Sequence, residues 1–86
     1  MKREDLIRKE ILFQLYAVRP LALSPERIAR DAQKNGYDYT VSEVRREAAF
    51  IADEQLIIKI SEPGTTSQMF RIGSAGVRAY EERYAS

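Results

Sequence analysis

Apolar residues Leu6, Ile7, Ile11, Leu15 and Val18 return every three or four positions and predict a helix over residues 3–18. Leu12, Phe13 and Tyr16 lie around the sides of that stripe, where they either widen the core or meet a fourth helix or another subunit. Arg19-Pro20 ends the helix, because the residue before proline is pushed out of the α region and proline has no N–H to donate. Leu21-Ala22-Leu23 suits a minimal edge strand. Ser24 then caps a second helix over 25–34, with Pro25 in the favoured first position and Leu23 stapled to Ile28. Ile28, Ala29 and Ala32 face inward, and Asn35-Gly36 supplies a left-handed stop.

Tyr37-Asp38-Tyr39 leads to Thr40, which together with Glu43 spells a capping box for a third helix over about 41–54. Tyr39 and Val44 form a staple. Val41, Val44, Ala48, Ile51 and Ala52 make its core face, while Ser42, Glu43, Arg45, Arg46 and Ala49 face water. Leu56–Ser61 and Gln68–Ile72 alternate as two strands of a hairpin around Pro63-Gly64, with one ribbon face closing over the helices. Ser74 is expected to cap a last helix over about 75–84, with Val77, Tyr80 and Tyr84 on one side. The expected fold class is α+β, mostly α: a three-helix core, a two-stranded β-hairpin and a C-terminal helix in one domain, residues 1–86.

A hydrophobic share of 44% with 31% charged residues is a globular balance. The longest unbroken apolar run, Ala48–Ala52, is far short of the ~20 residues that span a bilayer, so no membrane partner is expected. The acids in Met1-Lys2-Arg3-Glu4-Asp5 stand where a signal peptide needs apolar residues, which gives a cytoplasmic expectation. Net charge is +1, and no segment hides a strong excess: residues 24–48 carry five Lys or Arg against five acids. Any attraction to phosphate therefore rests on a few placed cations.

Histidine and cysteine are absent, and the serines have no base beside them in sequence, so no catalytic residue, metal site or cofactor is expected. Gly73-Ser74-Ala75-Gly76 is too short for a phosphate loop, and Asp53-Glu54 reads as the solvated end of the third helix. Tyr37, Tyr39, Tyr80 and Tyr84 suit either core packing or a small effector.

The order helix, short strand, helix, helix, hairpin, helix resembles the winged helix-turn-helix family over nearly the whole chain. Ser24-Pro25-Glu26-Arg27-Ile28-Ala29 is similar to the start of that family's second helix, and Val41-Ser42-Glu43-Val44-Arg45-Arg46 to the opening of its recognition helix. Ile51-Ala52-Asp53-Glu54-Gln55-Leu56-Ile57 resembles the junction into the wing, and Phe70-Arg71-Ile72-Gly73-Ser74-Ala75-Gly76 the exit from it. Gln55 stands where the family usually places a glycine in a left-handed turn.

The resemblance implies a small homodimeric transcription regulator that binds double-stranded DNA through its third helix. Thr40 and Ser42 are the candidates for phosphate contacts, and Arg45 or Arg46 for a guanine edge. Lys59, Thr65, Thr66 and Arg71 would touch the flanking backbone, with Arg27 or Arg30 adding a contact from the second helix. Arg45 and Arg46, near Glu43 and Glu47, equally read as a solvated charged face. The wing loop has no Lys or Arg, which leaves a second reading open: a protein-interaction module or phage-type accessory protein, with Leu12, Phe13, Tyr16, Tyr80 and Tyr84 as its contact surface or as a dimer interface.

Overall fold

A computed structural model of the chain describes residues 1–61, 63–64 and 67–84. The elements run α1 (Arg3–Val18), α2 (Pro25–Lys34), α3 (Val41–Asp53), β1 (Ile57–Ser61), β2 (Gln68–Ile72) and α4 (Ser74–Arg83). The fold is α+β and mostly helical, with four helices and one two-stranded antiparallel hairpin.

α1 drives Ile7, Ile11 and Leu15 into the centre, where they meet Ile28 and Ala32 of α2, Val44, Ala48 and Ile51 of α3, and Ile57, Phe70 and Ile72 of the hairpin. Burying each large aliphatic or aromatic side chain contributes about 1.5–3 kcal/mol, which makes this cluster the main source of stability. Leu12 belongs to it, at 2% exposure. Its expected place on a contact surface is corrected: the C-terminal half of α3 and the end of α4 close over that side of α1, with Ile51, Leu56 and Tyr84 around the same crevice.

α2 and α3 end on the same hydrogen-bond pattern. In α2 the N–H of Gly36 reaches the carbonyl of Gln33 and that of Tyr37 reaches Ala32; in α3 the N–H of Gln55 reaches Ala52 and that of Leu56 reaches Ile51. This double closure is the Schellman motif, which needs one residue in the left-handed region. Gly36 supplies it with φ +91° and Gln55 with φ +65°. The turn at Gln55 sends the chain directly from α3 into β1.

Register pairs Ile57 with Ile72 and Lys59 with Phe70 on one ribbon face, and Ile58 with Arg71 and Ile60 with Met69 on the other. The first face is the core face, since Ile57, Phe70 and Ile72 are buried while Ile58 is 38% exposed. Leu23 exchanges two backbone hydrogen bonds with Phe70, at 2.8 and 2.9 Å, so the edge strand expected at Leu21–Leu23 is a single bridge on β2.

α4 begins one residue earlier than its serine suggests. Gly73 occupies the cap position and its carbonyl accepts from Val77, whereas Ser74 is the first helical residue and makes no side-chain cap. The reason is the Gly73 N–H, which bonds the carbonyl of Leu56 at 3.0 Å and fixes the start of the helix against the junction. Gly76 then packs so closely there that a Cβ would overlap the Leu56 carbonyl. No helix among the described residues is long and apolar enough to cross a membrane.

Candidate nucleic-acid interface

The N-terminus of α3 is closed by its own side chains. The Thr40 hydroxyl accepts from the Glu43 N–H at 3.1 Å and donates to the Glu43 carboxylate at 3.2 Å, and that carboxylate accepts the Thr40 N–H at 3.1 Å. Arg3 of α1 adds a two-pronged contact, Nε to Glu43 Oε2 at 2.7 Å and Nη2 to Oε1 at 3.1 Å, and reaches Asp38 Oδ1 at 3.1 Å. The Arg3 guanidinium, helped by the Thr40 N–H, lowers the Glu43 carboxyl to about 2, and the two acids in turn raise Arg3. Thr40 is thus committed to the helix, and the positive end of the helix dipole already faces a carboxylate.

Beyond that turn α3 presents Ser42, Arg45, Arg46, Ala49 and Phe50 to solvent, while Val44, Glu47, Ala48 and Ile51 face inward. The helical angle of 100° per residue puts Ser42 and Ala49 along the middle of this outward face and the arginines on its two flanks. Each arginine has an acid. Arg45 reaches Glu26 of α2 at 3.2 Å, and Arg46 reaches Glu47 at 2.9 Å. Glu47 is buried and also receives Arg8 of α1 at 2.8 Å, with the Arg8 guanidinium stacked 3.8 Å from the centre of the Phe50 ring.

The remaining candidates do not share one surface. Arg30 is exposed one turn after Glu26, on the side of α2 that carries the Arg45 contact. Arg27 pairs with Asp31 at 3.6 Å and lines a crevice between α2 and α1 beside Gln14 and Val18. Lys59 and Arg71 stand on opposite ribbon faces, because neither is the cross-strand partner of the other and their partners, Phe70 and Ile58, alternate. Lys59 lies in a crevice at the end of α3 with Asp53 and Gln55. Thr65 and Thr66 lie outside the described residues.

Four of the five residues read as a contact surface do gather between α1 and α4. Tyr80 has its ring centre 4.6 Å from Tyr16, 5.7 Å from Tyr84 and 6.4 Å from Phe13, and Phe13 is 43% exposed. The Tyr16 hydroxyl donates to Glu81 at 2.8 Å, which ties the two helices together and raises its pKa above the usual phenol range.

Arg3, Arg8 and Glu26 carry roles that sequence spacing did not reveal, since each acts on a residue far away in the chain. No family model matches this chain, and neither a curated protein nor a solved structure is significantly similar to it.

Proposed function

We propose that this chain is a DNA-binding regulator of winged helix-turn-helix architecture, with α3 in the major groove and the hairpin as the wing. The observation that carries the reading is the outward face of α3. Small residues Ser42 and Ala49 line its middle, which allows close approach to base edges, and two arginines flank it. Their acid partners do not disqualify them. The Arg45–Glu26 pair is solvent-exposed on both sides, and such pairs contribute about 0.2–1 kcal/mol, less than the roughly 1–3 kcal/mol of a bidentate guanine contact. Arg46 can leave Glu47 because Arg8 remains to neutralise that buried carboxylate. Ser42 and Arg30 supply phosphate contacts, and a backbone following the end of α3 meets Lys59 rather than Arg71.

A second reading, a protein-contact module or a dimer through α1 and α4, is favoured by the exposed ring of Phe13 beside Tyr16, Tyr80 and Tyr84. Amide NMR spectra of the labelled protein, titrated at low salt with a mixed-sequence duplex, separate the two. DNA binding predicts perturbed amides at Ser42, Arg45, Arg46 and Ala49 with the outer face of α4 silent. Unmoved α3 amides throughout the titration would contradict it.

A further inference from the structure

A groove of about 310 Å³ opens between α1, the loop joining α2 to α3, and α4. Leu6, Phe13, Tyr37 and Tyr80 form its walls, and Glu10 and Tyr39 line it more deeply. Leu6, Phe13 and Tyr37 are each about two-fifths exposed, so three of the chain's large exposed apolar side chains meet at one concavity. Its volume falls at the small end of ordinary small-molecule sites, which are about 300–1,000 Å³.

The groove is also chemically specific. Glu10 is 7% exposed, and its Oε2 accepts from Gln14 Nε2 at 2.8 Å and from Asn35 Nδ2 at 3.2 Å. Oε1 has no hydrogen-bond partner among the described residues and is not sealed from solvent, and no Lys or Arg forms an ion pair with this carboxyl there. The Tyr39 hydroxyl likewise has no partner among the described residues and is not sealed from solvent, although the residue as a whole is buried. A carboxyl largely withdrawn from water normally has a cation beside it, and this one leaves its second oxygen free to take one. The nearest candidate is turned away: Lys9 contributes its stem to the groove, while its ammonium lies 5.2 Å over the ring of Tyr84. Aromatic faces complete the setting. The rings of Tyr37 and Tyr39 stack at 5.1 Å with an angle of 9°, and Arg3 lies over Tyr39, so Tyr37 and Phe13 carry the rings at the rim.

We propose that this groove binds a small organic cation, an ammonium joined to an apolar or aromatic body, with the ammonium against Glu10 and the Tyr39 hydroxyl and the body among Leu6, Phe13, Tyr37 and Tyr80. A carboxylate pairs with an ammonium and electron-rich rings attract a cation, and neither suits an anion. The proposal does not depend on α3 binding DNA.

The probe is 3-phenylpropylammonium, compared with 3-phenylpropionate of the same length and opposite charge, each titrated into the full chain by amide NMR. The ammonium should saturate shifts at Leu6, Glu10, Phe13, Tyr37 and Tyr39, and the carboxylate should bind at least about tenfold more weakly, the factor that 1.4 kcal/mol represents. Glu10→Gln should weaken ammonium binding by a similar factor. Tyr37→Ala, at an exposed ring whose loss spares the core, should weaken it about threefold. Should Glu10→Gln fail to fold, Tyr37→Ala and the comparison of charges in the native chain still decide. Equal binding of the two probes, absent shifts at the groove, or a folded Glu10→Gln with native affinity would overturn the proposal. So would movement of these same amides on dilution without probe, which assigns the groove to a second copy.

Discussion

Gly36 and Gln55 occupy equivalent positions at the ends of two helices, and only one of them is suited to the left-handed backbone it adopts. A residue with a Cβ costs roughly 1–2 kcal/mol there, and glycine returns part of that through the greater freedom of its unfolded chain. Gln55→Gly should therefore raise stability by about 0.5–1 kcal/mol and Tm by about 2–8 °C, read by thermal denaturation followed by circular dichroism. An unchanged or lowered Tm would mean that the Gln55 side chain contributes something that glycine lacks. This position was legible only through the family resemblance, which sets a left-handed residue just before the leucine of the junction. Leu12 was not. Its place beside the α1 stripe fits either face, and what decides is the closure of α3 and α4 over it, a contact between residues tens of positions apart.

Among the elements, α3 is fixed from outside as well as within. Its capping box was written in Thr40 and Glu43, but the arginine that completes it comes from the start of α1. That link gives a pH dependence whose direction follows from Glu43. A carboxyl lowered to about 2 from an ordinary value near 4.5 stabilises the fold fully above 4.5, and the contribution is lost as pH falls toward 2. Glu43→Gln keeps a side-chain carbonyl for the Thr40 N–H but removes the charge. Its Tm should lie a few degrees below the native chain at neutral pH, with the gap closing between pH 4.5 and 2. A gap that stays constant over that range would place the stabilisation elsewhere. The start of α4 shows the opposite case, in which a good local signal is overridden. Ser74 has the chemistry of a cap, yet Gly73 takes the position because its N–H bonds Leu56 and Gly76 must sit against the same carbonyl. Helix and strand periodicity were local and could be read; the tight seam between α4 and the junction was tertiary and could not.

For the whole molecule, the balance of charge leaves the proposed DNA binding to a handful of side chains, those of α3 together with Arg30 and Lys59. Electrostatic attraction at long range contributes little to a chain of net charge +1, so affinity should be modest and should depend on Arg45 and Arg46. The most direct measurement is fluorescence anisotropy of a labelled mixed-sequence duplex, titrated with native chain and with Arg45→Ala/Arg46→Ala at two salt concentrations. Each phosphate contact contributes roughly −0.9 to the slope of log affinity against log salt, so a few contacts predict a slope of about −2 to −4. The double variant should bind at least about tenfold more weakly, the loss of one guanine contact of ordinary strength. Absence of binding at the lower salt concentration, or equal binding by both proteins, would contradict the assignment of α3 as a nucleic-acid surface.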